Sequence, residues 1–184
     1  MKKIVSIKSI IRLLFKRFGF EINRSNISNS YSKRLALQLD YHNIDCIINV
    51  GANNGGYAEF ILSNSFRGNI VSFEPQSEAH HKLLIKSKAY AGWYIAPRMA
   101  LGDKESELEL NIAGNNGASS SLLKMLSSHI EAVPESKYIN KEKVFVHRLD
   151  GLDNSVIKNA HKIFLKIDTQ GYELAVLNGA KRII

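Results

Sequence analysis

Short apolar runs and amphipathic segments alternate along most of this chain of 184 residues. The apolar runs predict strands at residues 45–50, 69–74, 107–112, 143–149 and 162–168, and a further strand within residues 93–101. Apolar residues at helical spacing predict helices at residues 32–42, 57–63, 78–88 and 172–182, the last with Leu174 and Leu177 inward. Strands that alternate with helices usually pair in parallel, so the pattern predicts an α/β fold with a parallel sheet.

The composition is that of one globular domain, since 45% of the residues are hydrophobic and 23% are charged. The single cysteine, Cys46, excludes an internal disulfide and a zinc site made of thiolates. We therefore expect a reducing, cytoplasmic location. Because Cys46 lies in an apolar run, we interpret it as a small buried hydrophobic residue.

Most of the positive charge lies at the start of the chain. The formal net charge is +8, and residues 1–24 carry seven bases and only one acid. The remainder is nearly neutral, whereas a nucleic-acid-binding domain usually spreads its bases over one face. No nucleic-acid partner is expected.

Residues 1–24 are predicted to form a basic amphipathic helix, and residues 25–44 a polar linker followed by a lead-in helix. The apolar stripe of the first helix consists of Ile4, Ile7, Ile11, Leu14 and Phe18. Basic residues interrupt this segment, so it fits a signal peptide poorly and is not expected to form a transmembrane helix. Two interpretations stay open: peripheral contact with an anionic membrane, and packing against its own domain or a partner chain.

A glycine-rich loop follows the first predicted strand. Residues 49–57 read Asn-Val-Gly-Ala-Asn-Asn-Gly-Gly-Tyr. Glycines allow a sharp turn and a close approach to a ligand, and Asn53 tolerates a left-handed conformation. The dinucleotide-binding pattern Gly-x-Gly-x-x-Gly is absent. The loop is either a ligand-binding loop or simply a tight strand-to-helix turn.

Two acids end predicted strands, where ligands of parallel sheets bind. Glu74 lies 23 residues after Gly51, a spacing typical of an acid that accepts hydrogen bonds from ribose. The alternative is a solvated acid. Asp168 could bind an amine, orient a hydroxyl or act as a base. Its alternative is helix capping, by Asp168 or Thr169, of the helix that starts near Gly171.

Six motifs occur in one order along residues 45–181. They are Val50-Gly51-Ala52-Asn53 with Gly55 and Tyr57, Phe73-Glu74-Pro75, Ala100-Leu101-Gly102-Asp103, Ser119-Ser120-Ser121-Leu122, Leu149-Asp150, and Leu165-Lys166-Ile167-Asp168 with Gly171-Tyr172-Glu173-Leu174, Val176-Leu177 and Gly179-Ala180. This set resembles the FkbM family of S-adenosylmethionine-dependent methyltransferases. The last motif is the most specific of the six.

The resemblance implies a Rossmann-like methyltransferase domain at residues 45–184, with helices on both faces of its sheet. It implies O-methylation of a hydroxyl on a sugar or natural-product-like acceptor, a small molecule or a glycan. The cofactor-binding residues implied are Gly51, Ala52, Asn53, Gly55, Tyr57, Glu74, Ala100, Leu101 and Asp168. Among them, Glu74 would hold the ribose, Ala100 or Leu101 would lie near the adenine, and Asp168 is the candidate base. The histidines show no metal-ligand spacing, so no metal site is predicted.

Three features depart from the family pattern. Asn49 stands where an acid is usual, and Gln170 stands where glutamate is frequent. The chain ends at Ile184, where such sheets usually continue, so the late strands are expected to be missing. The alternative function is therefore a truncated, non-catalytic relative that binds cofactor weakly or associates with a membrane or a partner. A nicotinamide-dependent oxidoreductase is a weaker third hypothesis.

The segment at residues 113–121 is rich in Gly, Asn and Ser. Two interpretations of it stay open, namely a cover over the site and a flexible surface loop.

Overall fold

The computed structural model describes residues 11, 14–19, 31–64 and 66–184. The predicted basic helix at residues 1–24 and the linker after it lie mostly outside this part of the chain, in which residues 14–17 are helical. Across the described ranges, no helix is both long and apolar enough to span a bilayer.

The described chain alternates between strands and helices. The strands are β1 (Cys46–Val50), β2 (Asn69–Phe73), β3 (Trp93–Ile95), β4 (Ala100–Leu101), β5 (Ser106–Ala113), β6 (Tyr138–His147) and β7 (Ile163–Ile167). The helices are α1 (Tyr31–Tyr41), α2 (Gly56–Ser63), α3 (Ser77–Lys86), α4 (Ser127–Ala132), α5 (Ser155–Lys158) and α6 (Glu173–Asn178). Single 3₁₀ turns cover Ser87–Ala89, Pro134–Ser136 and Leu149–Gly151.

The first sheet is parallel, with the order β3-β2-β1-β7. Strand β1 is buried along its whole length because both of its faces are covered. On one face, Ile48 packs in a core with Ile157 of α5 and Val176 of α6. On the other face, Ile47 packs in a second core with Leu83 of α3. The α/β fold, with a parallel sheet and helices on both faces, is confirmed.

A second sheet of three strands has the order β4-β6-β5, with β4 parallel and β5 antiparallel to β6. The strand predicted within residues 93–101 is confirmed as β3, and the same range also contains β4, which belongs to the second sheet. Pro97 lies between them and has no N–H with which to continue a ladder. Strand β6 starts at Tyr138, before the predicted residue 143, because its outer half is an exposed hairpin arm.

The packed face of α6 differs from the prediction. Leu174 is 71% exposed and Leu177 is 38% exposed, whereas Val176 is fully buried. A Cβ at Gly179 would collide with the carbonyl oxygen of Gly102, so the two backbones touch there. This close approach sets the rotation of the helix about its axis. The spacing of apolar residues along the sequence carries no information about this contact.

Candidate functional site

A cavity of about 190 Å³ lies at the carboxyl ends of β1, β2 and β7. Six of the predicted site residues line it, namely Gly51, Asn53, Glu74, Ala100, Leu101 and Asp168. The other lining residues are Val50, Phe73, Pro75, Met99, Leu110, Gly117, Ala118, Ser120, Ser121, Leu122, Thr169, Gln170 and Tyr172. The three strand ends thus bring together residues that are more than 100 positions apart in the sequence.

Three predicted site residues lie away from the cavity wall. Ala52 is buried in the core beneath α2 and α3. Gly55 has a φ of 86°, and a Cβ there would collide with Trp93 and Leu83. Tyr57 is partly buried in the same core, where burial raises the pKa of its hydroxyl to about 12. Ala52 and the second half of the loop therefore face the core, and core packing explains these three residues.

The first half of the glycine loop forms part of the site. Gly51 has a φ of 74°, and a Cβ there would collide with the backbone carbonyl of Asp168. The N–H groups of Gly51 and Ala52 both donate to the carbonyl oxygen of Phe73 at 3.1 Å. Asn53 has a φ of 46°, which confirms the predicted left-handed conformation. The loop is a tight turn whose backbone also lines the cavity.

Glu74 is a buried carboxylate that lines the cavity, so its interpretation as a solvated acid is wrong. Its Oε2 accepts a hydrogen bond from the Asn53 N–H at 2.6 Å, and its Oε1 accepts one from the Gln76 N–H at 2.9 Å. Burial raises the pKa of Glu74, and these two N–H donors and the charge of Lys166 oppose the rise. Each oxygen accepts one backbone donor and has a further lone pair for a ligand hydroxyl.

Asp168 directly follows β7 and is exposed on the cavity wall. Its Oδ1 accepts a hydrogen bond from Gln170 Nε2 at 2.7 Å, and its Oδ2 lies 3.4 Å from Lys166 Nζ. The capping alternative is wrong in the described structure, because Tyr172 precedes α6 and makes no side-chain cap. Instead, Glu173 accepts hydrogen bonds from the loop N–H groups of Thr169 and Gly171.

Residues 117–122 cover the cavity from the side of the second sheet. Ser121 Oγ donates to the Gln170 carbonyl oxygen at 2.9 Å, which joins this segment to the loop after β7. Within the segment, the Asn115 side chain bonds to Ser119, and the Ala113 N–H donates to Ser120 Oγ at 3.0 Å. Of the two interpretations of this segment, the structure supports a hydrogen-bonded cover on the site rather than a flexible surface loop.

A second cavity of about 350 Å³ adjoins the first. Ser121 and Gln170 line both cavities and form the partition between them. The second cavity has apolar walls at Met125 and Leu126, with the Tyr138 ring on another side. The two cavities therefore lie next to each other and share these two residues.

Sequence reasoning missed Leu110 and Met99, which line the cavity from β5 and from the segment before β4. Neither residue stands at the end of a predicted strand, so no local signal marked them. Thr169 and Gln170 were also missed, although their position next to Asp168 was a usable signal.

The charged residues on the wall of the first cavity are both acids, whereas the basic residues Lys124 and His129 line the second cavity. Among the described lining residues of the first cavity, Glu74 and Asp168 are charged, and no lysine, arginine or histidine is present. In the part of the chain that the structure covers, no group of His, Cys, Asp and Glu could hold a metal ion. The wall is therefore suited to a cationic ligand that also carries hydroxyl groups.

Asn49 lies beneath the cavity rather than on its wall. It is fully buried, and its Nδ2 lies 3.5 Å from Ser72 Oγ, which also accepts a hydrogen bond from Trp93 Nε1 at 3.0 Å. Within the described residues its Oδ1 has no partner.

A family model described as the methyltransferase FkbM domain matches residues 49–184. No curated protein and no solved structure matches the chain.

Proposed function

The chain belongs to the FkbM methyltransferase family, and we propose that its cavity binds S-adenosylmethionine for transfer of the methyl group to a hydroxyl of a sugar or natural-product-like acceptor. The single observation that carries this proposal is the charge of the wall. The described lining residues include two carboxylates and no lysine, arginine or histidine. This charge favours a ligand with a positive sulfonium and a ribose.

The same wall disfavours a nicotinamide dinucleotide. A pyrophosphate needs free backbone N–H groups at the glycine loop, together with positive potential. Here the Asn53 N–H is already bonded to Glu74 at 2.6 Å, and that carboxylate would repel a phosphate. This geometry supports a methyl donor over the oxidoreductase alternative.

The residues present fit the cofactor by their chemistry. Glu74 would accept hydrogen bonds from the ribose hydroxyls, and Asp168 would face the positive end of the ligand. Ala100 and Leu101, both buried, would lie against the adenine. Sites for small molecules usually enclose about 300–1,000 Å³. The cavity of about 190 Å³ is smaller, and we propose that residues 117–122, which cover it, move outward when the cofactor binds.

When bound, S-adenosylmethionine supplies an electrophilic methyl group. The protein contributes alignment of the acceptor oxygen, exclusion of water and a destination for the hydroxyl proton. Asp168 is the candidate base, because its carboxylate is on the wall and its side chain is 54% exposed, so the proton can continue to solvent. Gln170 and Lys166 fix the orientation of that carboxylate.

The acceptor would enter through the second cavity. Its volume of about 350 Å³ is within the range of small-molecule sites. Because it meets the first cavity at Ser121 and Gln170, an acceptor hydroxyl held there would reach the side of the site where Asp168 lies. We place this reaction in the cytoplasm, which the single free cysteine supports.

Calorimetric titration of S-adenosylmethionine into the purified chain tests the proposal. We expect micromolar binding that is lost in Glu74→Ala and retained in Glu78→Ala, which removes an exposed carboxylate nearby. Absence of binding by the folded native chain would contradict the proposal and favour the non-catalytic alternative. Methyl transfer from labelled cofactor that persists in both Glu74→Ala and Asp168→Ala would show that the site is assigned wrongly.

A further inference from the structure

The ammonium of Lys166 lies directly behind the first half of the glycine loop. Its Nζ donates to the Gly51 carbonyl oxygen at 3.3 Å and lies 3.4 Å from Asp168 Oδ2. It also lies over the Tyr57 ring, 5.4 Å from the centroid. The side chain is only 19% exposed, so the cation is held close to the site by fixed partners rather than by water.

The position of Lys166 follows from the register of the sheet. It lies in β7 opposite Asn49 of β1, and its side chain runs toward the carboxyl edge on the face that carries Tyr57. The positive charge is near both acids of the cavity, since it pairs with Asp168 and acts electrostatically on Glu74. When both acids are ionised, the two carboxylates contribute a charge of about −2, and this ammonium brings the net charge of the site to about −1.

We propose that Lys166 sets the relative affinity of the site for the sulfonium cofactor and for its neutral thioether product. This inference rests on the proposed function. Methyl transfer removes one positive charge from the ligand sulfur, so the field of the site acts differently on S-adenosylmethionine and S-adenosylhomocysteine. A site with net charge −2 would favour the sulfonium strongly, whereas the charge of Lys166 reduces that preference.

This smaller preference for the sulfonium matters for catalysis as well as for binding. A site that binds the sulfonium too tightly stabilises the reactant more than a transition state in which the positive charge is already dispersing. Lys166 limits this ground-state stabilisation, and it holds Gly51 and Asp168 in fixed positions at the same time. It acts through these residues and through its field, so it is a positioning residue.

The test is calorimetric titration of both ligands into the native chain, Lys166→Met, Lys166→Gln and Lys166→Arg at low ionic strength. The ratio of the two dissociation constants should shift by about three- to tenfold toward S-adenosylmethionine in the Met and Gln variants, as expected for one partly screened charge. Lys166→Arg keeps the charge and should stay within about twofold of the native ratio. Lys162→Met, which removes an exposed charge just before the same strand, is the control.

The outcomes separate this inference from the proposed function. If the native chain binds both ligands and the Met and Gln variants weaken both equally, Lys166 has only a structural role and the inference is wrong. If the folded native chain binds neither ligand, the proposed function itself is wrong, and the inference fails with it. Thermal unfolding of each variant identifies a loss of fold, and either neutral variant that folds is sufficient for the test.

Discussion

The backbone N–H of Asn53 donates to Oε2 of Glu74 at 2.6 Å, which ties the turn after β1 to the acid that ends β2. Glu74 also accepts a hydrogen bond from the Gln76 N–H at 2.9 Å, so one carboxylate holds two loops in place. The acid therefore has a structural role that is independent of any ligand. Its structural and binding roles can be separated by measurement.

Glu74→Ala should destabilise the chain as well as abolish cofactor binding. The substitution leaves two N–H groups near the cavity without their acceptor, at a cost of about 1–3 kcal/mol. Urea denaturation of the native chain, Glu74→Ala and Glu78→Ala measures this cost. Equal stability of all three proteins would contradict the structural role of the carboxylate.

The raised pKa of Glu74 predicts a pH-dependent stability. Burial favours the protonated acid in the folded state, so the native chain should lose stability as the pH rises from about 4.5, the ordinary value, through the raised pKa. The Glu74→Gln variant has no titratable side chain at this position. The free energy of unfolding of the native chain, minus that of Glu74→Gln, should therefore fall over this interval. A difference that is constant from pH 4 to 8 would argue against the raised pKa.

Gly51→Ala and Gly56→Ala should have opposite consequences although they lie five residues apart. A Cβ at Gly51 would collide with the backbone of Asp168, and its φ of 74° is unfavourable for alanine. At Gly56 the nearest atom is 3.6 Å away, and alanine favours the helix that begins there. Thermal melting should show a large loss for the first variant and little change, or a gain, for the second. A small effect of Gly51→Ala would mean that the ends of β1 and β7 are not in contact.

Ser121→Ala should loosen the cover over the cavity. Its hydroxyl donates to the Gln170 carbonyl oxygen and accepts a hydrogen bond from the Leu123 N–H, both within 3.0 Å. We expect faster hydrogen exchange at residues 117–123, with about 1–2 kcal/mol lost locally. Ser128→Ala, at an exposed position in α4, is the matched control and should leave exchange in the cover unchanged. Unchanged exchange in Ser121→Ala would show that the bridge to Gln170 does not hold the cover.

Cys46 should be inert in the folded chain. It is fully buried in β1, and burial raises the pKa of its thiol to about 11. A chromogenic disulfide reagent at pH 8 should therefore react with it only after urea unfolds the chain. Rapid reaction under native conditions would mean that the centre of the first sheet opens readily.

Much of the site could be predicted from the sequence because its signals are local. The apolar run before Gly51 and the acid after the next strand mark two strand ends, and parallel strands bring such ends to one edge. These local signals could not distinguish the core-facing residues of the loop from the cavity-lining ones. The core-facing residues are Ala52, Gly55 and Tyr57, and the cavity-lining ones are Gly51 and Asn53. Their direction depends on how the turn packs against Trp93 and Leu83, which come from later in the chain.

The sequence by itself determined the elements of this protein: the buried central strand, the glycine turn, the two acids and the family that their order indicates. These features depend on residue size, polarity and backbone freedom over a few positions. Only the tertiary structure decided that Glu74 is buried, that Lys166 supports Gly51 and Asp168, and that Ser121 bridges to Gln170. The contacts from Glu74 to Asn53, from Lys166 to Gly51 and from Ser121 to Gln170 join residues 21 to 115 positions apart. The first two contacts form when strands of the first sheet pair, whereas the contact from Ser121 to Gln170 forms only when the segment on the second sheet packs against the loop after β7.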